Sequence, residues 1–185
     1  KKHFTPGMPV SVNYRINAGV IPADHWVHDL KTGGGRIIGE ACHFIDLCMF
    51  IAGSPITSVS ATALNDASKL NDTVTISLTF ENGSVASVNY FSNGNKQVSK
   101  EYLEVFGSGI VAQLDDFKTL HVFGKTEKKI SGTQDKGHQE EIKTFVDCIK
   151  SGKPAPIPFE ETVMSTRATF KALESIATSG QRITL

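Results

Sequence analysis

The feature that most constrains the fold is the grouping of strand-like segments in the middle of the chain. Alternation of apolar and polar residues predicts β-strands with one buried face, and it occurs at residues 10–17, 56–64, 73–80, 84–91, 100–106, 109–114 and 119–123, with shorter segments at 125–130 and 183–185. Helical spacing is confined to residues 40–51, 136–150 and 160–179. Because strands and helices are segregated, we predict an α+β fold: a large, mostly antiparallel open sheet with helices packed on one face.

Composition narrows the classes of partner. The chain has 185 residues, and its 19 basic and 19 acidic residues give a formal net charge of zero. A length of this order suits one domain with a full core, and a neutral balance lacks the basic footprint of a nucleic-acid-binding protein. No apolar run approaches the ~20 residues that span a bilayer. We therefore expect neither nucleic acid nor membrane as a partner.

Cysteine usage indicates a reducing compartment. The chain has three cysteines, Cys42, Cys48 and Cys148, and no Cys-x-x-Cys pair. An odd count without paired spacing argues against a disulfide framework, so we predict a cytoplasmic location.

A glycine-rich turn, Gly33-Gly34-Gly35, leads into the first predicted helix and is followed by Arg36, Glu40, Cys42, His43 and Asp46. A helix start presents free backbone N–H groups and a positive dipole end to polar or anionic ligand groups. An imidazole there can exchange protons near neutral pH. The same residues also fit a plain turn before a core helix, so residue types alone leave both interpretations open.

The glycine turn is not a dinucleotide fingerprint. Such a fingerprint joins a strand to a helix within a βαβ unit, whereas Gly33 follows an irregular segment and the chain shows no βαβ alternation. We therefore expect that this chain does not bind a dinucleotide by itself.

Several motifs, taken in order, carry a family resemblance. They are Tyr14-Arg15-Ile16-Asn17-Ala18-Gly19, Pro22, His25-Trp26, the glycine turn with His43-Phe44-Ile45-Asp46, Gly137-His138-Gln139-Glu140-Glu141-Ile142, Gly152-Lys153-Pro154 and Ala172-Leu173-Glu174-Ser175. Over residues 9–185 the chain resembles the C-terminal domain of the Gfo/Idh/MocA oxidoreductases, in the variant of predicted sugar dehydrogenases that is also found fused to zinc-type alcohol dehydrogenase modules.

The resemblance implies a domain organisation and a function. It implies a glyceraldehyde-3-phosphate-dehydrogenase-like C-terminal domain at residues 9–185 that binds substrate and forms a homodimer or tetramer through its open sheet face, where Thr75, Ser77 and Thr79 are expected. Residues 1–8 would be a linker after an N-terminal nucleotide-binding domain, which would hold most of the NAD or NADP. The substrate would be a sugar, a nucleotide sugar or a polyol.

The resemblance also nominates an acid–base pair. The family pattern places an Asp four residues before His43, but position 39 is Gly. Glu40, three residues before His43, would take its place on the same helix face, and a His oriented by a carboxylate is a general acid–base arrangement. The departure at Gly39 leaves two alternatives open: a buried structural His43, and a non-catalytic domain that binds ligand and dimerises. The family's catalytic Lys lies in a Glu-Lys-Pro motif that this chain lacks, so we expect the chain alone to be inactive.

Further residues are candidates for contact with substrate. In the resembling proteins the His25-Trp26 pair borders the cleft, Asp46 lies near the site, and His138 stands at the position of a residue that reaches the pocket in some members. Each also has a structural explanation: loop packing for His25 and Trp26, a backbone contact for Asp46, and helix capping at His138. His25-x-x-His28 with Glu40 or His43 resembles a zinc ligand set only weakly, and we predict no metal.

The first strand adds Arg15 and Asn17, which alternation places on the face opposite Tyr14. Arg15 and Arg36 have the fork geometry that binds carboxylate or phosphate. The alternative is an ion pair with Asp24, Asp29 or Glu40, and the sequence does not decide between them.

Overall fold

A computed structural model of the chain describes residues 4, 7–65, 67 and 70–185. Of the predicted linker at 1–8, residues 1–3, 5 and 6 lie outside the described part of the chain. The described residues form three α-helices, a nine-stranded sheet, and two short helical turns.

The sheet is mixed, with one parallel pair at its centre. Its strands are β1 (Ser11–Asn17), β2 (Ile56–Ala63), β3 (Val74–Phe80), β4 (Val85–Phe91), β5 (Glu101–Gly107), β6 (Ile110–Asp115), β7 (Thr119–Phe123), β8 (Lys128–Ser131) and β9 (Ile183–Thr184). The spatial order is β8-β7-β6-β5-β1-β4-β3-β2-β9. Strand β1 is parallel to β4 and antiparallel to β5, and the other neighbouring strands are antiparallel. The N-terminal strand therefore joins two antiparallel halves.

Two helices cover one face of the sheet. They are α1 (Cys42–Ala52) and α3 (Phe159–Ala177), which pack on each other and on β4 and β2 respectively. Strand residues that alternate toward this face, such as Tyr14, Ile76 and Val88, are buried beneath them. The third helix, α2 (His138–Ser151), has no buried residue. The core thus lies between the sheet and the α1–α3 pair.

The opposite face of the sheet is open, and its side chains form rows across the strands. A polar row includes Asn13 and Gln113, which both donate hydrogen bonds to Glu104, at 3.2 and 3.0 Å. A second row, which is apolar except at Ser11, follows the register Val85–Ser11–Phe106–Val111–Phe123. Thr75, Ser77 and Thr79 lie on this face as expected, because their neighbours Val74, Ile76 and Leu78 are the buried ones.

The predicted α+β fold is confirmed, with three refinements. Element ends lie within two residues of the predicted ones, apart from the start of β8. The β1–β4 pair is parallel, and α2 does not bury its apolar side on the sheet.

In the described part of the chain, no helix combines the length and the apolar character needed to cross a membrane.

Candidate functional site

A loop of fifteen residues, 18–32, leads from β1 to the glycine turn. Within it, Trp26–His28 forms a 3-10 turn in which the Val27 N–H group donates to His25 Nδ1 at 3.3 Å. The Trp26 side chain is 64% exposed, and its ring lies 5.7 Å from that of His25. The structure therefore presents an adjacent imidazole and indole to solvent, while His25 also caps the turn.

The glycine turn is held tightly against this loop. Gly33 and Gly34 donate backbone hydrogen bonds to the Asp29 carbonyl, at 2.7 and 3.0 Å, and Gly35 donates to that of Val27. A Cβ at Gly33 would lie 2.5 Å from Trp26 O and from the Cα of Val27. Only glycine allows this approach, because the atoms that would have to move belong to the backbone.

Arg36 lies at the centre of a buried polar cluster at the helix start, which we call the Arg36 cluster: Arg36, Glu40, Asp72, Tyr90 and the Gly19 carbonyl. Arg36 is 2% exposed; its Nε donates to Glu40 Oε1 at 3.0 Å and its Nη1 to Gly19 O at 2.7 Å. Its Nη1 also lies 3.9 Å from Asp72 Oδ2, and its Cζ lies 5.2 Å from the Tyr90 ring centroid. The guanidinium is thus committed to internal partners.

Glu40 is the member of this cluster that reaches the surface, with 26% of its side chain exposed. Burial acts to raise the pKa of Glu40, but the hydrogen bond and positive charge of Arg36, aided by the Tyr90 hydroxyl and Lys100, lower it overall. Glu40 is therefore an ionised, half-buried carboxylate held in place by Arg36.

His43 lies in the first turn of α1 with its side chain exposed. Its acidic neighbour on the next turn is Asp46, which is half-buried near Ser165 of α3. Burial raises the pKa of Asp46, and the nearby Ser165 and the charge of His43 offset only part of that rise. An exposed imidazole thus stands near a half-buried carboxylate.

The partner that the structure gives Glu40 is Arg36. Glu40 belongs to a π-helical turn, Ile37–Ala41, that precedes α1. Asp46 is the carboxylate whose pKa is affected by the charge of His43. The pairing of Glu40 with His43 stays a prediction. Of the two meanings open for Arg36, the structure shows the ion pair.

Arg15 and Asn17 lie on the other face of the sheet from His43. The Tyr14 ring makes an edge contact with Phe44 of α1 at 5.2 Å, so the next residue in the strand points to the open face. There Arg15 donates to Ser99 O at 2.6 Å, and Asn17 donates to Asn95 O at 2.7 Å. The prediction that these two residues reach the same substrate as His43 is not supported by this geometry.

His138 is the first residue of α2 and is exposed. Two residues before it, Lys136 forms an ion pair with Glu101, which also accepts a hydrogen bond from the Tyr14 hydroxyl. Glu101 is buried, so Lys136 ties the start of α2 to the sheet beneath α1. His138 is therefore anchored through its neighbours and not through its own ring.

Sequence reasoning missed Glu101, Tyr90 and Asp72. Two of them carried a signal: Glu101 and Tyr90 fall on the buried phase of their strands, which read Glu101-x-Leu103-x-Val105 and Ala86-x-Val88-x-Tyr90. A polar group in a buried phase needs a partner: Glu101 is bonded by Tyr14 and Lys136, and the Tyr90 ring packs against the Arg36 guanidinium. Asp72 lies in a loop, and no local pattern distinguishes it.

Two other chemistries can be placed on the structure. Across the described ranges, no three His, Cys, Asp or Glu side chains converge as a metal site would require. Burial raises the pKa of the Cys42 thiol, and the nearby Asp46 and Glu40 add to that rise. Cys42 is therefore a protonated thiol at neutral pH, which is a weak nucleophile.

An open mixed sheet with two helices on one face and a polar helix start beside it defines an α+β domain. The family model described as the GFO/IDH/MocA C-terminal domain matches residues 6–112, more than half of the chain. The chain belongs to this family, as a C-terminal domain of the Gfo/Idh/MocA oxidoreductases.

A curated relative agrees with this assignment. The chain is 28% identical over 168 residues to YrbE of Bacillus subtilis (strain 168), described as an uncharacterised oxidoreductase. The match covers 80% of this chain and 48% of YrbE. The chain thus spans about half the length of the relative it matches.

Solved structures share the fold. Aldose-aldose oxidoreductase from Caulobacter crescentus, complexed with glycerol, superposes with a TM-score of 0.80 at 14% identity, over 97% of this chain and 57% of that one. UDP-N-acetylglucosamine 3-dehydrogenase GnnA from Acidithiobacillus ferrooxidans gives 0.77 at 18% identity, over 95% and 56%. Levoglucosan dehydrogenase in complex with NADH gives 0.77 at 16%, over 96% and 58%. At these identities the likeness establishes the fold alone.

Proposed function

We propose that this chain is the substrate-binding domain of an NAD(P)-dependent dehydrogenase that acts on a hydroxyl group of a sugar, nucleotide sugar or polyol. The observation that carries the proposal is the exposed His43 one helical turn from the half-buried carboxylate of Asp46 at the start of α1. Proton transfer from a substrate hydroxyl is the task that such a pair performs. The substrate class is the one that the names of its structural relatives share.

In this proposal His43 takes the hydroxyl proton and Asp46 orients the imidazole. Glu40, kept ionised by Arg36, accepts a hydrogen bond from a second substrate hydroxyl at the surface-facing end of the Arg36 cluster. His25 and Trp26 border the substrate, with the exposed indole available to stack on the apolar face of a sugar ring. His138 closes the site from the start of α2.

The nicotinamide cofactor does not fit the residues of this chain. The one parallel strand pair, β1 and β4, is connected through α1 and two further strands and is not a βαβ unit. The glycine turn follows a 3-10 turn and packs on Val27, so its glycines allow the close backbone contacts within this loop. We therefore propose that another domain binds the NAD(P), and we assign no step of hydride transfer to this chain.

The three free cysteines support a cytoplasmic location, which fractionation of the source cells would test.

The test of this proposal compares the chain alone with the chain joined to a nucleotide-binding domain. Both proteins are given NAD or NADP with a panel of sugars, nucleotide sugars and polyols, and reduced nicotinamide is followed by absorbance. We expect turnover only from the joined protein. Turnover by the chain alone would contradict the proposal that another domain binds the NAD(P). A joined, folded protein without activity on any of these substrate classes would contradict the proposed dehydrogenase activity.

One observation favours a second candidate, a non-catalytic domain that binds ligand and dimerises. Position 39 is Gly where the family has Asp, and Glu40 is occupied by Arg36. Substitution of His43 separates the two candidates, because only the dehydrogenase requires its proton transfer.

We propose that the open face of the sheet joins two copies of the chain. Its apolar row contains exposed Val85, Phe106 and Phe123, aligned across neighbouring strands with Val111 between the last two. Phe106→Glu is expected to weaken self-association at least roughly tenfold, because it places a charge in an apolar contact. Phe170→Glu on α3 is the control. Sedimentation velocity measures the effect, and a dimer that survives Phe106→Glu would contradict this surface.

A further inference from the structure

Tyr90 is a fully buried tyrosine whose hydroxyl group has no aligned hydrogen-bond partner. Its ring lies 6.1 Å from that of Phe44 and 5.2 Å from Arg36 Cζ. Both contacts involve the ring, so a phenylalanine at this position would keep them. Among the described residues, no group meets Tyr90 Oη in hydrogen-bond geometry. The hydroxyl group is therefore an addition that the packing of the fold does not require.

A buried hydroxyl group without an aligned partner lowers the stability of a folded chain, because its hydrogen bonds to water in the unfolded state are not replaced. Native proteins keep few such groups, and each one requires an explanation, of which a role in function is one. The neighbouring Tyr14 shows the ordinary arrangement: its ring also contacts Phe44, but its hydroxyl group donates to Glu101. The two tyrosines thus differ mainly in the partner of the hydroxyl group.

The group nearest in chemistry to the Tyr90 hydroxyl is the carboxylate of Glu40. After burial and Arg36, the hydroxyl is the next influence on the pKa of Glu40, which it lowers, so the two groups lie near each other without being aligned. Arg36 Nε donates to Glu40 Oε1 at 3.0 Å, and a carboxylate has about four lone-pair positions. Glu40 can therefore accept from a buried donor and also from a donor at the surface, where 26% of its side chain is exposed.

We propose that Tyr90 is a positioning residue for Glu40: its hydroxyl group donates to the Glu40 carboxylate when a sugar or polyol hydroxyl binds the exposed side of that carboxylate. The inference rests on the proposed function, in which Glu40 accepts a hydrogen bond from a second substrate hydroxyl. Hydrogen bonds in an active site are often poorly aligned in the free protein and tighten in the complex. A hydrogen bond to an ionised carboxylate is also stronger than one between neutral groups, which favours the aligned arrangement in the complex.

Tyr90→Phe tests the proposal, with Tyr14→Phe as the matched control. Binding of glucose, UDP-glucose and myo-inositol to the chain is measured without cofactor by the fluorescence of Trp26, the single tryptophan of the chain. We expect Tyr90→Phe to raise the Kd of the probe that binds most tightly about tenfold, because a charge-assisted hydrogen bond of the complex is lost. Its melting temperature should rise by about 2–4 °C. Tyr14→Phe should lower the melting temperature and leave the Kd near that of the wild type.

Two further measurements separate positioning from a structural role. The first is the pKa of Glu40, followed by carbon-13 NMR of labelled glutamate and assigned with Glu40→Gln; Tyr90→Phe should raise this pKa, because the hydroxyl lowers it in the wild-type chain. The second is the double variant. In the Glu40→Gln chain, adding Tyr90→Phe should no longer change the Kd of the probe, because the hydroxyl acts through that carboxylate.

Equal probe affinity of the wild-type and Tyr90→Phe chains would overturn the proposal, as would an effect of Tyr90→Phe that persists in the Glu40→Gln chain. Kinetics of the protein joined to a nucleotide-binding domain test the proposed function separately: Tyr90→Phe should raise KM more than it lowers kcat, and a joined protein without turnover would contradict the dehydrogenase only. A wild-type chain that binds none of the probes would contradict the proposed function. An unchanged pKa of Glu40 in the Tyr90→Phe chain would then overturn the role of Tyr90 as well.

Discussion

Arg36→Ala is expected to lower the free energy of unfolding by about 3–5 kcal/mol, the range for breaking a buried ion pair by removing one partner. The guanidinium is 2% exposed and joins Glu40, Asp72 and the Gly19 carbonyl. Without it, Asp72 and the Gly19 carbonyl lose a buried partner, and the cost of burying these groups is no longer offset. Chemical denaturation monitored by circular dichroism measures the loss.

The Arg36→Ala variant should also change the pKa of Glu40. Arg36 is what lowers that pKa against the opposing effect of burial, so its removal should leave burial dominant and move the pKa upward. A group whose folded-state pKa is depressed contributes stability above its unfolded pKa and loses it as pH falls. The free energy of unfolding of the wild-type protein should therefore fall as the pH drops from above the unfolded-state pKa of Glu40 to below its folded-state pKa. In the Arg36→Ala protein this part of the pH dependence should be absent. Arg167→Ala, on the exposed side of α3, is the control; equal losses from both variants would contradict a special role for Arg36.

His43→Ala is expected to reduce kcat by about 100- to 10,000-fold in a protein that joins this chain to a nucleotide-binding domain, the usual range for a general acid–base group. The imidazole is exposed, so its removal should cost little stability, and the melting temperature should stay within a few degrees of wild type. Steady-state kinetics on the best substrate of the panel, with a thermal melt of the same sample, provides both numbers.

Two comparisons make the result specific to proton transfer. His121→Ala removes a histidine on the opposite face of the sheet, where the ring is bonded to Glu127, and should leave kcat unchanged. Asp46→Asn should shift the pH profile of kcat/KM, because the carboxylate that orients His43 becomes neutral. A folded His43→Ala protein whose kcat stays within about threefold of wild type would contradict the catalytic role of His43 and favour the alternative, a non-catalytic domain that binds ligand and dimerises.

Local patterns were sufficient to predict most of the fold. Alternation located β1 to β7 and assigned Tyr14 and Arg15 to opposite faces, because side-chain direction in a strand follows from position alone. Helical periodicity located α2 but not its surroundings: the spacing of Ile142, Phe145 and Ile149 shows that one side is apolar and carries no information on what covers it. The parallel pairing of β1 with β4 likewise depends on contacts distant in sequence.

The candidate site was predicted less completely, for related reasons. The helix start with His43 follows from the glycine turn and the periodic residues after it. The pairing of Glu40 with Arg36 occurs at a π-helical turn, which has no marker among residues 37–41. The internal contacts of Arg36 depend on Asp72 and Gly19, which lie next to it in the fold but belong to separate loops. Contacts of this kind are set by the tertiary structure and are not encoded in spacing.

The placement of β1 has a consequence for how this domain reaches its native state. Strands β4 and β5 follow each other in the chain, yet they are not paired, because β1 lies between them. The partners of Ser11 lie more than 70 residues later, at Val85 and Phe106, and such distant pairings slow folding. Until β1 is inserted, each half of the sheet presents an unpaired inner edge of the kind that promotes misassembly. The first strand of this domain is thus the one that completes the hydrogen-bonded architecture of its sheet.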